Sequence, residues 1–139
     1  MNEQQNTDLV KKLYAAFGRG DIQTILDNLT DDVEWEEEGP SAIPYVGKKK
    51  GRGEVAGFFQ ALSSGQADQK LTMDTFIAQG DQVAALGRYG ASVKATGKKF
   101  DTQAAHFFTI RGGKVARFVA LGDTAATVEA YTGRAAAGR

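Results

Sequence analysis

Three side chains in the second half of the chain have the chemistry to move a proton or polarise a carbonyl: His106, which is the only histidine, Asp123 and Tyr89. An imidazole titrates near neutrality, and a carboxylic acid in an apolar cavity has its charged form disfavoured, which lifts its pKa toward the same range. A tyrosine hydroxyl can donate to a developing oxyanion. Each group also has a plain structural use. A lone strand histidine is most often a hydrogen-bonded core imidazole, Asp123 directly precedes a helical stretch it can cap, and a tyrosine is most often core with a wetted hydroxyl.

The stretch that must position two of them runs from Asp101 to Asp123, DTQAAHFFTIRGGKVARFVALGD. Gly112-Gly113, between runs rich in Phe, Val, Thr and Ile, supplies the positive φ angles of a tight hairpin turn. Pairing Arg111 with Lys114 sets Ile110 against Val115, Phe108 against Arg117, His106 against Val119, Ala104 against Leu121 and Thr102 against Asp123. Alternation then puts the imidazole and the carboxyl on one face, about 13 Å apart along the strands. That is too far for a direct bond and suits two ends of a cavity holding one small molecule. Upstream, Gln82 to Ala95 reads as a strand whose Gly87 and Gly90 mark a bulge, a bend or a close backbone approach. A turn at Gly97-Lys98 sets Tyr89 opposite His106. A slip of one residue brings Arg88 inward instead, so the two are alternative pocket residues.

The first half supplies helices. Thr7 or Asp8 can cap a helix with Leu9, Val10, Leu13, Tyr14 and Phe17 on one stripe, ended by Gly18 and Gly20. Asp21 caps a second, short one carrying Ile22, Ile25, Leu26 and Leu29. Val33-Glu34-Trp35-Glu36 alternates as a strand with Val33 and Trp35 inward and both glutamates in water. Glu37 to Lys50, with Pro40, Pro44 and Gly47, reads as a loop over a pocket mouth; its acidic and basic runs read as solvated surface. Glu54 to Leu62 forms a third helix burying Val55, Phe58, Phe59 and Leu62. Leu71 to Ala78 alternates as a strand, and Thr124 to Tyr131 reads as a short helix before a frayed tail at 134–139.

With 139 residues the chain fits one domain, 1–133, with a core and room for a pocket. Lys+Arg and Asp+Glu both number 17, so the basic excess of a nucleic-acid binder is missing. No cysteine and one histidine exclude disulfides, thiol catalysis and a thiolate or histidine-rich metal site, so no metal is expected. No phosphate-cradling glycine loop is present, and no cofactor is implied. The N-terminus lacks the pattern of a secretory signal and no apolar run approaches a bilayer span, so the expected location is cytoplasmic, with no membrane partner.

Three helices with a strand after the second, then a run of antiparallel strands, make an α+β pattern. In that order, TDLVKKLYAAFGRGDIQTILDNLTDDVEW, G-x-x-E-V-A-x-F-F at Gly51 to Phe59, and T-G-K-x-F…A-H-F-F-T-I-x-x-G-K-V…D-T resemble a SnoaL-like protein of the NTF2-like, ketosteroid-isomerase-related superfamily. The resemblance covers nearly the whole chain. It implies a conical barrel, a curved antiparallel sheet wrapped on three helices around an apolar pocket, and a homodimer through the outer sheet face. By the same resemblance Asp123 matches the proton-transfer acid of SnoaL-type cyclases, His106 a polar pocket position, and Tyr14 and Trp35 pocket-lining positions. Phe58 is core or ligand wall, roles that merge in a hollow cone. The Arg-x-Asp strand motif of limonene-type epoxide hydrolases is missing, because Arg88 is followed by Tyr89 and Gly90. The expected function is isomerase- or cyclase-type proton transfer on a small apolar carbonyl compound, with Asp123 as base, His106 or Tyr89 polarising the oxygen, and Tyr14 and Trp35 packing the ligand. Two other readings stand beside it: a non-catalytic binder of a small hydrophobic ligand, and a dimeric interaction module with a vestigial pocket.

Overall fold

Gly112 and Gly113 both adopt positive φ, 59° and 76°, and between them reverse the chain from β5 (Lys99–Arg111) into β6 (Lys114–Gly122) with Arg111 paired to Lys114. The computed structural model describes residues 2–133; the tail expected at 134–139 lies outside the described residues. Before this hairpin come α1 (Glu3–Gly18), α2 (Ile22–Asp27), β1 (Leu29–Glu37), β2 (Gly47–Lys50), α3 (Gly51–Gly65), β3 (Gln66–Gln79) and β4 (Gln82–Val93); α4 (Thr124–Thr132) follows it. One curved, unclosed sheet in the order β2-β1-β6-β5-β4-β3 results, antiparallel except where β1 runs parallel to β6. This is the α+β architecture the element pattern implies.

The helices cover the concave face. Leu9, Val10, Leu13 and Ala16 of α1 and Val55, Phe58, Phe59 and Leu62 of α3 bury a stripe each against Val33, Trp35, Val83, Phe108, Ile110, Val115 and Phe118 of the sheet. Helix α1 starts about one and a half turns earlier than the Thr7/Asp8 cap expected. Asn2 accepts from the Gln5 amide while the Gln5 side chain accepts from the Asn2 amide, a reciprocal cap that satisfies two otherwise orphaned donors.

Two registers differ from expectation. In β6 an extra residue, Ala116, has no partner on β5, so beyond it Phe108 faces Phe118, His106 faces Ala120 and Ala104 faces Gly122. Asp123 leaves the ladder and caps α4 instead of pairing with Thr102. Between β4 and β5 the reversal is longer than a turn at Gly97-Lys98: Val93 donates to the Lys98 carbonyl and Gly97 to that of Val93. Tyr89 therefore faces Thr102, not His106, and Ala85 takes the place opposite the histidine. The displacement is an even number of residues, so Tyr89 still faces inward and Arg88 outward. Finally, residues 37–50 are not loop throughout: Glu37 continues β1, and 47–50 form β2 against it.

In β3 a register shift between Met73 and Thr75 switches the inward set from Leu71 and Met73 to Phe76 and Ala78. Gly87 makes it possible. A Cβ there would lie 1.9 Å from the Thr72 carbonyl oxygen, so backbone occupies the space a side chain needs. No described helix is long and apolar enough to cross a membrane. Gly87→Ala should therefore lower unfolding stability by about 1–3 kcal/mol in urea titration, the usual cost of forcing atoms into a filled site.

Candidate active site

Between sheet and helices lies a cavity of about 130 Å³, walled by Tyr14, Phe17, Trp35, Tyr45, Phe58, Phe59, Tyr89, Phe100, Phe108 and Phe118. On the scale at which a dry cavity of about 150 Å³ accepts a benzene ring, its enclosed part takes about one ring, and anything larger must extend through the mouth. The rings pack on one another: Trp35 stacks on Phe118 with centroids 4.0 Å apart, and Phe58 lies against both Tyr45 and Phe59. Among the polar groups that break the apolar surface are those of Tyr14, His106, Glu37, Tyr89 and, at the rim, Glu38 and Asp123.

Tyr14 and His106 meet directly, the phenol oxygen 2.9 Å from Nδ1. Burial pushes the Tyr14 hydroxyl well above the usual tyrosine range and the His106 imidazole down to about 4, so both are neutral near pH 7. Of two neutral partners the imidazole nitrogen is much the better acceptor. We therefore assign Tyr14 as donor to Nδ1, which places the imidazole proton on Nε2. That N–H has no protein acceptor among the described residues and is available to a ligand oxygen.

Glu37 was read from sequence only as one of an acidic surface run. Val33, Trp35 and Glu37 are alternate residues of β1, so the strand that turns the tryptophan inward turns Glu37 inward too. Glu37 is half-buried, its carboxyl group facing Tyr45 and Tyr89, and partial loss of water pushes it up to about 8, with Lys49 opposing the shift. The signal was present in the alternation, continued one step beyond Glu36.

The expected site residues divide. His106, Tyr14, Trp35, Phe58 and Tyr89 all line the cavity. Tyr89 donates its hydroxyl proton to Gln66 Oε1 and accepts from Gln69 Nε2, 3.1 Å away, so it has no proton left for a substrate oxygen. Gln66 in turn donates to Tyr131 at 2.8 Å, tying β3, β4 and α4 together at that end of the pocket. Asp123 is exposed at the rim, its carboxylate accepting the Ala125 amide at 3.1 Å as the α4 cap. Arg88 does not reach the cavity. It points to solvent and pairs with Asp101 at 2.8 Å on the outer face, because the longer β4–β5 reversal preserved the parity that keeps Tyr89 inside.

A hydrophobic cavity under a curved sheet, entered by a strand-end glutamate and a central histidine, fits what comparison with known proteins returns. Residues 10–118 match the family model of the SnoaL-like domain. The chain belongs to the SnoaL-like family. An uncharacterised Mycobacterium tuberculosis protein, Rv0034, is 30% identical over 129 residues, 91% of this chain and 96% of its own. Among solved structures, an NTF2-like protein of unknown function from Burkholderia pseudomallei superposes with a TM-score of 0.86 at 28% identity, covering 95% of this chain and 99% of that one. TerC, co-crystallised with polyporic acid, superposes at 0.83 with 28% identity, covering 92% and 98%. The SnoaL-like chain thus has the NTF2-like fold, as its motifs implied.

The two shifted groups make stability depend on pH in opposite senses. Between about 4.5 and 8 the folded chain keeps the Glu37 proton that the unfolded chain gives up, so this group subtracts stability as pH rises through that window. Between about 6.5 and 4 unfolded His106 takes a proton that the folded chain refuses, so stability falls on acidification there. Glu37→Gln, which mimics the protonated acid, should melt close to wild type at pH 5 and several degrees above it at pH 9, as read by calorimetry across the range.

Proposed function

We propose that this SnoaL-like protein is a proton-transfer enzyme, of isomerase or cyclase type, acting on an apolar ring-bearing compound with a carbonyl or enol oxygen. The observation that carries the reading is the cavity-lining carboxyl of Glu37 in the same aromatic cavity as an uncharged His106 with its Nε2–H unpartnered. Near neutrality a minority of molecules hold Glu37 ionised, and a carboxylate so poorly solvated is a strong base matched to the working pH. It removes the proton beside the carbonyl. The electron pair moves onto the oxygen, where the His106 Nε2–H donates to the developing enolate, and the protonated Glu37 returns the proton at the new position. Tyr14 holds the imidazole in that tautomer, and Trp35, Phe58 and Phe118 grip the ring. Asp123 was the base expected from the family position; its exposure and its capping bond support a rim role instead. That a solved relative was crystallised with polyporic acid supports a small-molecule occupant.

Turnover of cyclic enones and dienols tests this. Glu37→Gln should lower kcat by about 10²–10⁴-fold while ligand affinity stays within a few-fold, whereas Asp123→Asn should change kcat little. In the wild type kcat/KM should rise with pH about a midpoint near 8, where Glu37 loses its proton. Ligand binding without turnover on any such compound, unaffected by Glu37→Gln, would favour a non-catalytic binding protein.

A homodimer is part of the proposal. On the convex face Leu86 and Phe107, each 46% exposed, and Leu121, 43%, form an apolar area across β4, β5 and β6, with Leu86 beside Ala105 and Ala105 beside Leu121. An area of this kind fits a second copy of the same face. Phe107→Glu should convert a dimer to a monomer by light scattering while the far-ultraviolet dichroism is unchanged.

A further inference from the structure

Lys48 and Lys50 are the solvated charges that the basic run suggests, but Lys49 between them is half-buried. Alternation along β2 explains it. Lys49 lies opposite Trp35 in the antiparallel pair, so its side chain shares the inner face. Its ammonium donates to the carbonyl oxygens of Tyr45 at 2.7 Å and Val46 at 3.1 Å and stands 5.7 Å from the centre of the Phe58 ring. An ammonium has three N–H donors, so one remains. Glu37 lies opposite Gly47, which makes Lys49 its diagonal neighbour on the same face, with backbones about 7–8 Å apart and two long side chains to close the gap.

We propose that Lys49 is the positioning residue of this site: it latches the segment between β1 and β2 across the cavity mouth and supplies the counter-charge that allows Glu37 to ionise there. The latch follows from what the segment is made of. Residues 38–46 belong to no strand or helix, and Ile43, Tyr45 and Val46 in it form cavity wall. Its backbone is held by Glu38 to Ala120, Ile43 to Pro40 and a long 3.4 Å bond from Val46 to Ile43, and the two Lys49 bonds are the ties from β2.

The counter-charge follows from what else faces Glu37. Tyr45 approaches from the mouth segment and Tyr89 from β4, with Tyr131 of α4 against Tyr45 behind them; all three are neutral phenols. Glu38 and Asp123 on the rim are acids, which oppose a second negative charge. Lys48 and Arg117 act on Glu36, on the other face of β1. Lys49 is thus the cation directed at the site among the described residues, and two carbonyls already orient it there.

The proposal rests on Glu37 as the proton-transfer group, and its test separates the two. With 13C-labelled glutamate, the Glu37 carboxyl resonance, identified by its loss in Glu37→Gln, is titrated in wild type, Lys49→Met and Lys49→Arg, and hydrogen exchange is followed at the amides of 38–46. Lys49→Met should raise the Glu37 midpoint by about one pH unit or more and speed exchange in the segment by about tenfold. Lys49→Arg, which keeps the charge, should leave the midpoint close to wild type. A folded Lys49→Met protein with unchanged midpoint and unchanged exchange would overturn the proposal, as would an equal midpoint shift in both variants. A wild-type Glu37 titrating in the ordinary carboxylate range would instead sink the proton-transfer reading, with the Lys49 effects still read from the difference between variants.

Discussion

Ala116 is the extra residue in β6, and much of the interior depends on it. Strict alternation from Val115 would turn Arg117, Val119 and Leu121 toward the helices. With Ala116 inserted, Phe118 and Ala120 go inward and Arg117 stays in water. Burying an unpaired guanidinium under α3 would cost several kcal/mol, about as much as a typical domain can spare. Phe118 then fills the centre of the site, stacked on Trp35 and edge-on to both His106 and Phe108 at 4.9 and 5.1 Å. The same bulge bends the hairpin, as bulges do, and so contributes to the curvature that keeps the sheet from lying flat on the helices. A hollow is left because the wall curves away from its roof.

Inside that hollow one physical cause acts on two groups with opposite results. Removal of water disfavours whichever form is charged, so the carboxyl of Glu37 holds its proton to higher pH and the imidazole of His106 refuses one until lower pH. Near neutrality the pocket therefore carries little charge despite containing an acid and a base. Tyr14 completes the arrangement from the helix side, fixing which imidazole nitrogen bears the proton. Two environments that push titratable groups apart are a recurring way to assign acid and base roles, and here both environments come from aromatic walls.

The other polar cluster is self-contained. Gln66, buried in β3, joins Tyr89 and Tyr131, while Gln69 donates to Tyr89 as well. Its hydroxyl and amide groups satisfy one another, which is what burial demands of them. This cluster fastens α4 over the sheet and closes one end of the cavity. Tyr89 is consequently a wall and a fastening, and the shifted titratable groups of the cavity lie at the end of β1 and the middle of β5.

Local pattern alone was enough for the helices, the Gly112-Gly113 reversal, the inward set Val33-Trp35 and the α+β class, because spacing of apolar residues and turn chemistry act within a few residues. It also pointed to His106, whose neighbours are apolar on a strand. Other features were decided only in three dimensions. The partner of Tyr89 depended on the length of one reversal, the fate of Asp123 on a bulge several residues away, and the side taken by Arg88 on the parity of that register. Glu37 and Lys49 sit in runs of like charge that composition alone sends to solvent, and for Glu37 only the alternation continued past Glu36 says otherwise. They are drawn inward because pairing with neighbouring strands sets the face each residue takes, and a face buried by distant aromatics is a property no single stretch contains.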